Sequence, residues 1–103
     1  MLKLRFFQVY IPSARVRHLS KEYDALVHTF GGITEHPGRG AFKMPDGRIC
    51  QETIRIWEIG VPEDKVKDAI KVIQRLLVRP LLNLGESAVL VKGTDGVGRV
   101  YYR

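Results

Sequence analysis

Apolar and polar positions alternate from Leu2 to Ile11, with Leu2, Leu4 and Phe6 on one side and Phe7, Val9 and Ile11 on the other. A period of two predicts a β-strand, and apolar residues on both sides predict one that is covered in part on both faces. Pro12 ends it, because proline has no N–H for the ladder. Ser13 to Leu19 reads either as a loop or as an early helical turn. Ser20 then offers an N-cap with Glu22 in the first turn, and Tyr23, Leu26, Val27 and Phe30 recur at helical spacing on the side facing the sheet. Gly31-Gly32 stops this helix, since a left-handed cap costs least without a Cβ.

The stretch from Gly31 to Glu52 organises the rest. Pro45-Asp46-Gly47 has the chemistry of a hairpin turn, with proline presetting φ and glycine taking the left-handed position. Phe42, Met44 and Ile49 are expected to pack across its arms. The second arm runs on as a strand from Ile49 to Ile59, with Ile54 and Ile56 on one face and Thr53, Arg55, Trp57 and Ile59 on the other. Gly60-Val61-Pro62 breaks it. Pro62-Glu63-Asp64 opens a second helix, whose stripe is Val66, Ala69, Ile70, Ile73, Leu76 and Leu77. Pro80 predicts a kink, and Gly85 a C-terminal cap after about Leu84. Ser87–Lys92 and Val97–Tyr102 read as two last strands joined through Gly93-Thr94-Asp95-Gly96.

Strand, helix, hairpin, helix and strand, in that order, predict an α+β, ferredoxin-like βαββαβ sandwich: an antiparallel sheet, two helices on one face, and a C-terminal hairpin strand. Phe7, Val9, Trp57, Ile59 and Val89 or Leu90 are the residues expected on the face without helices. A bare apolar face of that size predicts a homo-oligomer.

From the hairpin onward the chain resembles an uncharacterised family of small prokaryotic ferredoxin-like proteins. The residues that carry the resemblance are Gly31-Gly32-Ile33-Thr34, Gly40-Ala41-Phe42, Asp46-Gly47, Glu52 and Leu84-Gly85-Glu86-Ser87-Ala88-Val89, over about two thirds of the chain. Phe42 stands where the family pattern has Trp, and Pro80 interrupts a helix expected to be continuous. The resemblance implies the fold and carries no established activity.

At 103 residues and 45% apolar composition, the chain is expected to be one globular domain spanning 1–103. No apolar run approaches the ~20 residues of a membrane span, so no membrane partner is expected and the cytoplasm is the expected location. The lone Cys50 excludes an intramolecular disulfide and is expected to be buried packing. The net charge of +6 favours anionic partners, with solubility as the competing explanation.

Candidate chemistry is sparse. Arg15, Arg17 and His18 precede the first helix and, with helix N–H groups, suggest an anion site, to which His36-Pro37-Gly38-Arg39-Gly40 would add a backbone cradle and a second arginine. Glu52, among apolar strand residues, reads either as an acid–base group or as a carboxylate bonded to the glycine-rich backbone. His18, His28, His36 and Cys50 match no metal-ligand spacing, and no cofactor motif is present. The chain therefore reads first as a homo-oligomeric binding module, without catalysis, for an anionic or phosphorylated molecule.

Nucleic-acid binding is the alternative. It shares the element order of the RNA-recognition motif, but Cys50–Ile59 lacks that motif's basic-Gly-aromatic consensus, and a continuous stripe of Arg15, Arg17, Arg39, Arg48 and Arg99 would favour it. A third reading is a small enzyme with a pocket between the sheets of a dimer, using Glu52, His36 and Arg39.

Overall fold

A computed structural model describes residues 1–103 and contains one five-stranded antiparallel sheet. The strands are β1 (Leu4–Pro12), β2 (Ile33–Lys43), β3 (Ile49–Pro62), β4 (Ala88–Lys92) and β5 (Gly98–Tyr102), in the order β2-β3-β1-β4-β5. A 3-10 turn over Ser13–His18 leads into α1 (Ser20–Phe30). A second, interrupted helical segment comprises α2 (Val66–Ile73), a π-helical turn (Gln74–Val78) and α3 (Arg79–Asn83). This is the ferredoxin-like α+β arrangement, with β5 added at one edge. No helix is long and apolar enough to cross a membrane.

Local sequence explains most element ends. Gly31 caps α1 at φ 104°, its N–H donating to the Val27 carbonyl at 2.8 Å. Ser20 is the first helical residue rather than the N-cap: Leu19 holds that place, no side chain caps the end, and the Leu19 carbonyl receives the Tyr23 N–H. Pro80 has no N–H to offer the Leu76 carbonyl, and the wider π-helical turn lies immediately upstream, where such a break is absorbed. Gly85, at φ 110°, closes α3: its N–H reaches the Leu82 carbonyl, and the Glu86 N–H reaches that of Leu81.

The two hairpin turns share one construction. In Met44–Arg48 and in Gly93–Val97 the first residue donates to the carbonyl of the last, and glycine takes the positive φ, 88° at Gly47 and 80° at Gly96. Asp46 and Asp95 accept the backbone N–H two residues on, each at 3.0 Å.

The core lies between the sheet and the helices. Phe7, Val9 and Ile11 of β1, Trp57, Ile59 and Val61 of β3, and Val89 and Val91 of β4 pack against Leu26 and Phe30 of α1 and Ala69, Ile73, Leu77, Val78 and Leu81 of the second segment. Trp57 is 1% exposed, and Tyr23 meets it edge to face at 5.1 Å. This reverses the expected orientation of the sheet. Phe7, Val9, Trp57, Ile59 and Val89 lie beneath the helices, and it is the other set, with Leu4, Phe6, Ile56 and Leu90, that has no helix over it. The physical reason is polarity. Gln8, His36 and Glu58 fall in the second set, whereas the first carries no ionisable side chain along Phe7–Ile11 of β1 and Trp57–Val61 of β3.

The arms of the β2–β3 hairpin outrun β1. Pairing with β1 ends at Ile54, while β2 and β3 stay paired out to Lys43 and Ile49, giving a molecule 48 × 27 × 23 Å in extent. Out there Phe42 and Ile49 do not pack across the arms: Phe42 stands opposite Cys50 and Ile49 opposite Lys43, so the two occupy different faces. Cys50 is exposed, not part of the packing.

Candidate functional site

Two surfaces result, one on each side of the long hairpin. The helix-free face of the sheet presents Leu4 and Phe6 of β1, Ile56 of β3, Leu90 of β4, and Val100 and Tyr102 of β5. Phe6 is 50% exposed and Tyr102 75%, so this is a wide apolar surface open to water. Glycines let it lie flat. Phe6 and Leu4 rest over Gly60, and Leu90 over Gly98.

A polar chain crosses the middle of this face. Tyr10 Oη donates to Gln8 Oε1 at 3.1 Å, Gln8 Nε2 donates to Glu58 Oε2 at 3.0 Å, and His36 Nε2 stands 3.9 Å from Glu58 Oε1. At the β1 end of the face a cavity of about 360 Å³ is bounded by Leu4, Arg5, Phe6, Gln8, Lys92, Gly93, Thr94 and Gly96.

The residues expected to bind an anion are dispersed by the fold. Arg15 Nε donates to Glu86 Oε2 at 3.0 Å, which commits its charge to a carboxylate. Arg17 donates to His18 Nε2 at 3.3 Å in the exposed 3-10 turn. His36 lies on the helix-free face beside Glu58. The segment His36–Gly40 is regular strand paired with Glu52–Ile56, so it forms no backbone cradle.

Glu52 sits directly opposite Gly40, on the same face as His36 but four residues farther along the hairpin, about 13 Å away. Arg39 alternates to the opposite face, so Glu52, His36 and Arg39 do not gather around one pocket. Burial, and then the neighbouring Glu86 charge, push the Glu52 carboxyl above its ordinary value of 4.5. No group of three or more His, Cys, Asp or Glu side chains is arranged to hold a metal ion.

Arg39 does enter a groove. On the helix side of the hairpin, where β1 turns away, a cavity of about 480 Å³ is lined by Ser13, Pro37, Gly38, Arg39, Thr53, Ile54 and Arg55. Arg55 is the residue that sequence reasoning missed. It is 16 positions from Arg39 in the chain, and only the β2–β3 register, with Arg39 opposite Thr53 and Pro37 opposite Arg55, brings the two together.

The fold and its bare face define a ferredoxin-like α+β protein. Neither a family model nor a curated protein sequence matches the chain. Among solved structures, the chain is similar to a phage SAM lyase in complex with S-methyl-5'-thioadenosine, at TM-score 0.67 and 14% identity, over 97% of this chain and 88% of that one. It is also similar to CutA from Synechococcus elongatus, at TM-score 0.64 and 11% identity, over 97% of this chain and 76% of that one. At these identities the likeness is one of fold.

Proposed function

We propose that the protein is a homo-oligomeric binding module that associates through the helix-free face of its sheet and takes an anionic ligand. The observation that carries this reading is the apolar surface of Leu4, Phe6, Ile56, Leu90, Val100 and Tyr102. Exposed apolar area of this kind is stabilised by burial at roughly 25 cal/mol per Å², and no element of the same chain lies over it. A second copy supplies a matching apolar surface, and in a closed symmetric assembly the same patch serves both partners. The hydrogen bonds Tyr10–Gln8–Glu58 suit such an interface, because they pair the Gln8 side chain at both its oxygen and its nitrogen before burial.

The net charge of +6 supports the anionic ligand class. Chemistry of the protein's own is not part of this reading.

The test is thermal unfolding followed over a wide range of protein concentration. Coupled association and folding makes the midpoint rise with concentration. A midpoint that stays constant from the low to the high micromolar range contradicts the proposal.

A further inference from the structure

The groove on the helix side of the hairpin has the composition of an oxyanion site, and the geometry points to a phosphate-bearing small molecule held between Arg39 and Arg55. This rests on the reading above that the positive charge serves an anionic ligand, and it gives that ligand a place and a chemical class. Arg39 faces Thr53 directly across the hairpin, and Arg55 is two residues beyond Thr53 on the same strand and the same face. Side chains at such diagonal positions start about 7–8 Å apart, a separation that two long guanidinium arms can close onto one or two phosphate groups. The Ser13 and Thr53 side chains line the same cavity and add hydroxyl donors.

Neither arginine of the groove is committed to a carboxylate, and the two line one cavity. Arg5, Arg15, Arg48 and Arg99 each stand within salt-bridge distance of a carboxylate, on Glu63, Glu86, Asp46 and Asp95 respectively. Arg39 and Arg55 have no such partner, and no carboxylate lines their cavity. Glu35, on the same face and diagonal to Arg55 in the register, accepts the Trp57 Nε1–H at 3.3 Å and does not line the cavity. Two arginines lining one cavity that no carboxylate lines raise the local positive potential, which an anion relieves.

The size of the groove decides between ligand classes. A cavity of about 480 Å³ falls within the ~300–1,000 Å³ range of small-molecule sites, and two arginines match one or two phosphates rather than a long polyanion. Arg39, Thr53 and Arg55 are on the helix side of the sheet, so covering the opposite face with a second copy leaves their side chains open.

The experiment is calorimetric titration of the full chain with inorganic phosphate, pyrophosphate, ATP and short DNA and RNA oligonucleotides, repeated for Arg39→Ala, Arg55→Ala, the Arg39→Ala/Arg55→Ala double variant and Arg5→Ala. The expected result is saturable pyrophosphate binding that weakens by about tenfold or more in each groove variant and is unchanged in Arg5→Ala. Arg55→Lys, which keeps the charge but loses the planar fork, is expected to fall between. Circular dichroism confirms that each variant is folded, and light scattering on the same samples shows whether assembly is intact. Loss of binding with unchanged mass is thereby separated from failure of the oligomer.

Absence of saturable binding up to about 10 mM of every probe overturns the inference, as does equal binding by the Arg39→Ala/Arg55→Ala double variant. Binding confined to oligonucleotides, with a log–log salt slope steeper than about −3, overturns it in favour of a nucleic-acid surface.

Discussion

The Phe6 ring lies across the strand pair on Gly60, its register partner, so close that a Cβ built on Gly60 would stand 3.3 Å from Phe6 Cε1 and 3.2 Å from Leu4 Cδ1. Glycine here keeps two apolar side chains flat against the sheet. Gly60→Val is expected to lift both side chains toward water. Because both are already exposed and free to move, the variant should stay folded, while the flat surface offered to a second copy is lost. Comparing its circular dichroism and its mass with the wild type checks this. An unfolded variant, or one with unaltered assembly, would contradict it.

Trp57 belongs to the core of each chain. Trp57→Ala is expected to cost on the order of 3–5 kcal/mol, read from denaturant midpoints, because it opens a cavity beneath Tyr23 and the helices. Indole fluorescence should report unfolding and stay nearly silent when subunits dissociate. A large emission shift on dilution, with secondary structure retained, would mean that Trp57 meets solvent at the interface.

Three of the four left-handed glycines were plain from sequence, because Gly31 and Gly85 follow helical stripes and Gly47 follows Pro-Asp. The faces of the sheet were harder to rank. Leu4 and Phe6 are as apolar as Phe7 and Val9, so alternation identifies two faces without saying which one the helices choose. The deciding signal was Gln8, His36 and Glu58, whose polarity counts only once register places them together. The placing of Arg39 and Arg55 on one cavity was invisible for a related reason: glycines and Pro37 disguised an edge strand as a loop, and without that strand there is no register to read.

Gly47 takes φ 88° in open space, so Gly47→Val is expected to cost roughly 1–3 kcal/mol through backbone strain alone. Gly38→Ala tests a different constraint. Its φ is ordinary, but the new Cβ would lie 3.2 Å from Ile54 Cγ1, so a smaller loss set by how far Ile54 can yield is expected. Urea midpoints for the two variants check the order. An unchanged midpoint for Gly47→Val would mean that the turn at Gly47 is not strained by a side chain.

Glu52 is expected to make the fold sensitive to pH. Its carboxyl is raised by burial and by Glu86, so above 4.5 the folded chain holds a proton that the unfolded chain has released. Stability from this group therefore falls as pH rises through that window and is constant beyond it. Glu52→Gln is expected to be more stable than the wild type at neutral pH, with the advantage shrinking below the window. Midpoints measured at acid and neutral pH decide it, and a difference that does not vary with pH would contradict the assignment.

Static light scattering of the wild type beside Phe6→Asp, at high micromolar concentration, tests the account of the bare face most directly. Phe6 is half exposed and makes no contribution to the buried core, so a charge there is tolerated by the single chain and not by two apolar faces pressed together. The account predicts a mass of two or more protomers for the wild type and a folded protein of lower mass, down to one protomer, for Phe6→Asp. A wild type that scatters as a single protomer, or a Phe6→Asp variant that assembles as the wild type does, would contradict it.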